Sequence, residues 1–163
     1  MDIKKLIYDN GTIKIDYDTD DGSYKLSVNA IGDNAPSADL TQAVARLISI
    51  YASRLDMEDR RSALRVRGIE TGSDDDGEWF RIHGVYTAHN ISHKLTTAKM
   101  REMQVPAGDG QYVDDYIEKK SAEYPSLLAP DEYDLFVAVI AEGQEFVNGK
   151  RLQQTLDFGE GDK

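Results

Sequence analysis

Three arginines, one histidine and the only tryptophan alternate with apolar residues in two neighbouring segments of the chain. If Leu64 and Val66 lie on the buried side of a strand, the residues between and after them point to the opposite side. The same alternation around Phe80 and Ile82 places three more side chains on that exposed side. The residues predicted to share one sheet face are Arg65, Arg67, Trp79, Arg81 and His83.

Exposed aromatic side chains interleaved with arginine are typical of surfaces that bind unpaired bases. Guanidinium groups contact phosphates, and an indole ring stacks on a base with about 1–3 kcal/mol per stack. The alternative is a solvated sheet face, on which Trp79 packs under a loop and the arginines pair with nearby Asp or Glu. The sequence leaves both interpretations open.

A second candidate site lies near the C-terminus, in Gln153-Gln154-Thr155-Leu156-Asp157-Phe158. This segment resembles the Gln-x-x-Leu-x-Phe peptide by which bacterial DNA polymerases and repair proteins bind the sliding clamp. Gln153 would form hydrogen bonds, and Leu156 and Phe158 would fill an apolar pocket. A flexible segment can adopt the extended shape that such binding needs. Alternatively, Leu156 and Phe158 fold back onto the protein's own core.

Residue types that carry out catalysis or bind metals are absent or poorly spaced. The chain has no cysteine, no Gly-x-Ser-x-Gly and no phosphate-binding Gly-x-x-x-x-Gly-Lys. His89 and His93 fall in a predicted strand and loop rather than on a helix, which disfavours a zinc site. Asp16, Asp18 and Asp20 begin a calcium-like pattern, but the required glycine and glutamate do not follow. We therefore expect no metal site, no cofactor and no catalytic residue, and we expect that the protein is not an enzyme.

The charged residues are distributed unevenly around a net charge of −11. Residues 1–53 carry a net −3, residues 54–101 carry +1, and residues 102–163 carry −9. An acidic protein is repelled on average by nucleic acid, although a local basic face can override that average. Clustered carboxylates can also imitate phosphate spacing. An acidic DNA mimic that inhibits a host defence or nucleic-acid enzyme is therefore the alternative function.

The absence of cysteine favours a reducing compartment. No apolar run approaches the roughly 20 residues that a membrane-spanning helix needs. We expect a cytoplasmic protein without a membrane partner.

Hydrophobic periodicity predicts an α+β fold. Alternation and turn residues predict six strands, and apolar stripes at helical spacing predict three helices. The strands are expected near 3–8, 12–18, 23–31, 62–71, 78–88 and 93–100, and the helices near 37–55, 112–123 and 130–148. The order βββα-βββ-αα predicts an antiparallel sheet with the helices packed on one side. We expect one domain over residues 1–149 and a flexible C-terminal tail over 150–163.

Several segments resemble a family of small proteins of tailed bacteriophages and prophages. The matching segments are Asp33-Asn34-Ala35-Pro36-Ser37, Arg65-Val66-Arg67-Gly68-Ile69, Tyr124-Pro125-Ser126-Leu127-Leu128 and Phe146-Val147-Asn148-Gly149-Lys150-Arg151. The resemblance implies an early-region protein with a role in DNA replication or recombination, and no catalytic residues carry over from it. The tail has Leu-Asp-Phe where the family pattern is closer to Leu-Phe. The partner expected from residues and resemblance together is single-stranded nucleic acid, the host sliding clamp, or both.

Overall fold

A computed structural model describes residues 1–152 of the protein. Within this range the chain forms a six-stranded sheet, a two-stranded sheet and four α-helices. The strands are β1 (Asp2–Asp9), β2 (Thr12–Thr19), β3 (Gly22–Asn29), β4 (Leu64–Asp74), β5 (Gly77–Ala88), β6 (Ile91–Thr96), β7 (Arg101–Glu102) and β8 (Leu127–Leu128). The helices are α1 (Ala38–Ala45), α2 (Ile48–Arg54), α3 (Gly110–Glu123) and α4 (Pro130–Val147). Short 3-10 turns cover Gly32–Asn34 and Glu58–Ala63.

The large sheet consists of two antiparallel three-stranded units, joined in the order β3-β2-β1-β4-β5-β6. In the first unit, Asn10 and Gly11 turn the chain with φ values of 53° and 73°, as the Asn-Gly pair predicts. In the second unit, His89 and Asn90 make the equivalent turn with φ values of 52° and 64°. The two units are joined by the pairing of β1 with β4, in which Leu6 lies opposite Ile69.

The hydrophobic core lies between one side of the sheet and three helices. Its fully buried side chains come from both strand units and from α1, α2 and α4. The largest of them are Tyr51, Phe80, Phe136, Phe146, Leu6, Ile13, Ile15, Leu40, Leu47, Ile50, Ile69 and Ile82. The predicted α+β class is therefore confirmed, with these helices packed on one side of an antiparallel sheet.

The single helix predicted over residues 37–55 is two helices. Ser37 caps the first, because its hydroxyl oxygen accepts a hydrogen bond from the Leu40 amide at 3.3 Å. The amide of Leu47 then bonds to the Val44 carbonyl three residues back, which tightens the last turn and separates α1 from α2. Leu47 itself is fully buried, so the apolar stripe continues through the break. Periodicity therefore predicted the buried side correctly but not the break between the two helices.

The C-terminal half differs from the predicted order in its small elements. The strand expected near 93–100 covers only β6, and the chain then forms β7, which pairs with β8 in parallel. The observed order over the described residues is thus βββαα-βββ-βαβα rather than βββα-βββ-αα. Two-residue strands carry too little periodicity to be recognised in a sequence.

The chain after α4 lies against the helices as far as the structure describes it. Lys150 pairs with Asp39 of α1 at 2.9 Å and with Glu142 of α4 at 3.0 Å. The amide of Leu152 donates to the Ala35 carbonyl at 2.9 Å. Residues 150–152 therefore contact the domain that was expected to end at 149. The remainder of the predicted tail, including Gln153, Leu156 and Phe158, lies outside the described residues.

Candidate nucleic-acid interface

The side of the sheet opposite the core, which we call the open face, carries the outward-pointing residues of all six strands. The registers place both expected sets of side chains there, since Leu64, Val66, Phe80 and Ile82 are buried on the other side. Cations at outward positions of the open face are Lys5, Lys14, Lys25, Arg65, Arg67, Arg81 and Lys94. Carboxylates at such positions are Asp2, Asp9, Asp16, Asp18, Glu70 and Asp74. The open face therefore carries seven cations against six carboxylates, whereas the whole protein carries a net charge of −11.

Two adjoining hollows make the centre of the open face concave. The larger, of about 450 Å³, lies over β1, β2 and β3 and is bordered by Lys5, Lys14, Lys25 and Arg67. The smaller, of about 250 Å³, is lined by Lys14 and Arg67 and also by Lys94, which reaches it from β6. Cationic side chains from β1, β2, β3, β4 and β6 thus converge on one depression, which Asp16 and Asp9 also line.

Three lysines of this depression have no ion-pair partner among residues 1–152. Lys5, Lys14 and Lys94 lie farther than 4.0 Å from any described carboxylate oxygen, whereas Lys25 lies 3.5 Å from Asp16. Lys14 and Lys94 are exposed to solvent. Ammonium groups that are unpaired and collected in a concavity are suited to bind the phosphate oxygens of a polyanion.

Asp9 holds the two arginines that the sequence predicted for this face. Its two carboxylate oxygens accept from Arg65 at 2.9 Å and from Arg67 at 2.6 Å. Burial acts to raise the pKa of Asp9, but the hydrogen bonds and charges of Arg67 and Arg65 outweigh it and lower the pKa. Asp9 therefore largely neutralises the charge of Arg67, whose side chain is only 15% exposed, while the Arg65 side chain remains 55% exposed.

A bulge in β4 follows these arginines and shifts the alternation of the strand by one residue. The register of β4 against β5 shifts between Val66 and Gly68, so the strand contains one extra residue there. A Cβ atom on Gly68 would lie 1.8 Å from the Leu6 carbonyl oxygen, so only glycine permits β1 to approach at this point. After the bulge, Ile69 returns to the core.

His83 lies in the middle of the open face and is held on both ring nitrogens. Nε2 lies 2.9 Å from a Glu70 carboxylate oxygen, and Nδ1 lies 2.9 Å from the Thr96 hydroxyl. Burial lowers the pKa of His83, and the nearby charges of Lys5 and Arg67 act in the same direction against Glu70. His83 is therefore neutral at neutral pH, with Nε2–H donating to Glu70 and Nδ1 accepting from Thr96.

Trp79 does not lie beside the lysine depression. It pairs with Gly72 of β4, which is five residues beyond Arg67, or roughly 17 Å along a strand. A Cβ atom on Gly72 would lie 2.5 Å from the indole ring, so the ring rests directly on the glycine backbone. The Arg81 guanidinium lies 5.3 Å and the Lys99 ammonium 4.8 Å from the ring centre. Trp79 is therefore already packed at a corner of the sheet.

The five predicted residues share one face but form separate groups. Arg65 and Arg67 border the depression, and Trp79 with Arg81 occupies the corner. The alternative interpretation of paired arginines describes Arg65 and Arg67 correctly, because both bind Asp9. The prediction missed the lysines of the first unit and of β6. Lys14 and Lys25 do alternate with apolar residues in the sequence, but only the pairing of β1 with β4 places them next to Arg67.

Metal-binding clusters and membrane-spanning helices are not found in the part of the chain that the structure describes. Over residues 1–152, no group of three or more His, Asp or Glu side chains is arranged to hold a metal ion. No helix in that range is long and apolar enough to cross a membrane.

Comparisons with known proteins identify no relative. No family model matches the sequence, and neither a curated protein nor a solved structure is significantly similar to it.

Proposed function

We propose that the open face binds the phosphate backbone of single-stranded nucleic acid. The observation that carries this proposal is the convergence of Lys5, Lys14 and Lys94, which have no ion-pair partner within residues 1–152, on a concave face of an acidic protein. An acidic DNA mimic would be expected to present a continuous acidic surface. In this protein, the lysines of the open face interrupt the acidic surface.

The shape of the face favours a single strand over a duplex. Proteins that read duplex DNA usually insert a helix or a two-stranded ribbon into a groove. Here α1, α2 and α4 bury residues in the core on the other side of the sheet. A cationic sheet surface with partly exposed side chains such as Ile7 and His83 resembles the platforms on which unpaired nucleotides lie.

The binding should be electrostatic and indifferent to sequence. The three unpaired lysines supply about three phosphate contacts, which gives a slope near −2 for log affinity against log salt on a single strand. Such a protein is a non-enzymatic accessory of DNA replication or recombination, as the resemblance to phage early-region proteins implies. Binding to the sliding clamp through Gln153, Leu156 and Phe158 remains part of the proposal.

Reversal of two lysine charges tests the proposed interface. In the double variant Lys14→Glu and Lys94→Glu, affinity for a labelled oligo(dT) should fall about tenfold or more at low salt, and the magnitude of the salt slope should shrink by about 1.4. Fluorescence anisotropy measures both quantities and does not depend on Trp79. The two positions are exposed on strands, so circular dichroism should show an unchanged fold.

The matched control is Arg46→Glu with Arg60→Glu. These arginines are also exposed, lie outside the open face, and change the net charge by the same amount. The control should retain most of the affinity, because it alters only the long-range field. Equal losses in both double variants would show that net charge, and not the open face, governs binding. Failure of the unaltered protein to bind oligo(dT) at low salt would refute the proposal.

A further inference from the structure

Helix α3 contributes no buried residue to the protein. None of its 14 residues is buried, whereas α1 and α2 each bury three residues and α4 buries four. Tyr112 in its first turn is 60% exposed. Asp115 and Glu118 are exposed in the following turn, at positions three residues apart. An aromatic side chain followed by carboxylates therefore projects from a helix that has no partner over its solvent side.

The charge of α3 restricts what can cover it. Residues 109–123 contain five carboxylates, at positions 109, 114, 115, 118 and 123, and two lysines. Lys120 is directed toward two aromatic rings, at 5.7 Å from the ring centre of Tyr116 and 5.2 Å from that of Tyr124. The opposing surface must therefore be cationic, and it must offer an apolar recess for Tyr112.

The open face of the same protein has both properties. The hollow of about 450 Å³ is bordered by four cations, Lys5, Lys14, Lys25 and Arg67, and by one carboxylate, Asp16, and Ile7 and Leu26 contribute to its lining. No residue of α3 lines either hollow of the open face, so the two surfaces cannot meet within one copy in the described conformation. At physiological ionic strength charges are screened beyond about 8 Å, so these local patches outweigh the repulsion between two acidic molecules.

We propose that α3 of one copy docks on the open face of a second copy, with Tyr112 in the larger hollow and Asp115 and Glu118 against the lysines. The contact is heterologous, because it joins two different surfaces, and it therefore propagates into chains unless a rotation closes it. The inference rests on the same face as the proposed function, so α3 and a polynucleotide compete for it.

Sedimentation velocity on the full chain and two variants tests this contact. The helix variant is Tyr112→Ala, Asp115→Lys and Glu118→Lys, and the sheet variant is Lys14→Glu and Lys94→Glu. The unaltered protein should gain mass with concentration in the micromolar to sub-millimolar range at physiological ionic strength. Each variant alone should remain monomeric. An equimolar mixture should form a dimer of twice the monomer mass and nothing larger, since each molecule retains one of the two complementary surfaces.

Three results would overturn the inference. They are an unaltered protein that stays monomeric throughout, a variant that still associates alone, and a mixture that forms no dimer. In the last case the partner of α3 is another protein. Oligo(dT) anisotropy at dilute protein separates this inference from the proposed function, because the helix variant should retain oligonucleotide binding. Dimers without oligonucleotide binding would refute the function alone, and oligonucleotide binding without dimers would refute the docking alone.

Discussion

Asp9 restrains the arginines of the open face. Its two bonds tie Arg67, which is nearly buried, and Arg65, which is more than half exposed. Because the pKa of Asp9 is lowered in the fold, its stabilising contribution is present at neutral pH and is lost only in acid, when the carboxylate takes up a proton. The carboxylate thus favours the fold and at the same time reduces the charge that the face can offer to a polyanion.

Replacement of Asp9 by asparagine should separate these two effects. Loss of the charge-assisted bonds should reduce the free energy of unfolding by about 1–3 kcal/mol, and urea denaturation measures this. The same variant should bind oligo(dT) more tightly, because Arg65 and Arg67 become available. Asp16→Asn is the control, since its partner Lys25 is 83% exposed and such pairs contribute at most about 1 kcal/mol. Weaker oligonucleotide binding by Asp9→Asn would place the binding site elsewhere.

At the scale of the elements, Tyr51 of α2 contacts both β5 and β6 of the second strand unit. The Tyr51 ring stands over Gly84 of β5, and its hydroxyl donates to the Leu95 carbonyl of β6 at 2.7 Å. Burial raises the pKa of Tyr51 to about 12, so its hydroxyl remains a donor at neutral and mildly alkaline pH. This contact sets how closely α2 lies on the sheet.

The substitution Gly84→Ala should disrupt that packing. The new Cβ would lie 2.5 Å from Tyr51 Cζ and 2.6 Å from the Arg65 carbonyl oxygen, and overpacking of this kind costs about 1–3 kcal/mol. Gly110→Ala is the control, since nothing lies within 4 Å of its Cβ position and alanine is a better helix former. Thermal unfolding should show a lower midpoint for the first variant and an equal or higher midpoint for the second. Equal midpoints would mean that Tyr51 can move aside.

These elements also show how far a sequence can predict this fold. Turn residues and alternation are local, so the strands from β1 to β5 could be predicted to within two or three residues. The break at Leu47 could not, because the apolar stripe runs through it unchanged. The pairing of β1 with β4 is also inaccessible, because it joins segments about sixty residues apart. Without that pairing, Lys14 and Arg67 have no reason to be considered together.

At the scale of the whole molecule, charge is segregated between surfaces. The depression of the open face collects cations, while the protein has a pI near 4.6 and its net negative charge is concentrated after residue 101. Like charges on the acidic surfaces repel one another in the folded state. Screening by salt should relieve that repulsion and, at the same open face, weaken attraction to polyanions.

Added sodium chloride should therefore act in opposite directions on stability and on binding. Between low salt and a few hundred millimolar, the melting temperature should rise, because screening weakens repulsion among the excess carboxylates. Oligo(dT) affinity should fall over the same range. Differential scanning fluorimetry and anisotropy in the same buffers check the pair of trends. A melting temperature that falls with salt would mean that the ion pairs stabilise the fold by more than the repulsion between like charges destabilises it.

The attachment of Leu152 to Ala35 places the last described residue on the helical side of the domain. Ala35 immediately precedes α1, and Lys150 is bound between α1 and α4, so Leu152 belongs to the helical layer. A polynucleotide on the sheet and a partner held beside Leu152 would therefore contact opposite sides of the domain. The folded domain would then serve as a spacer, and its thickness of one sheet and one layer of helices would set the gap between the two ligands.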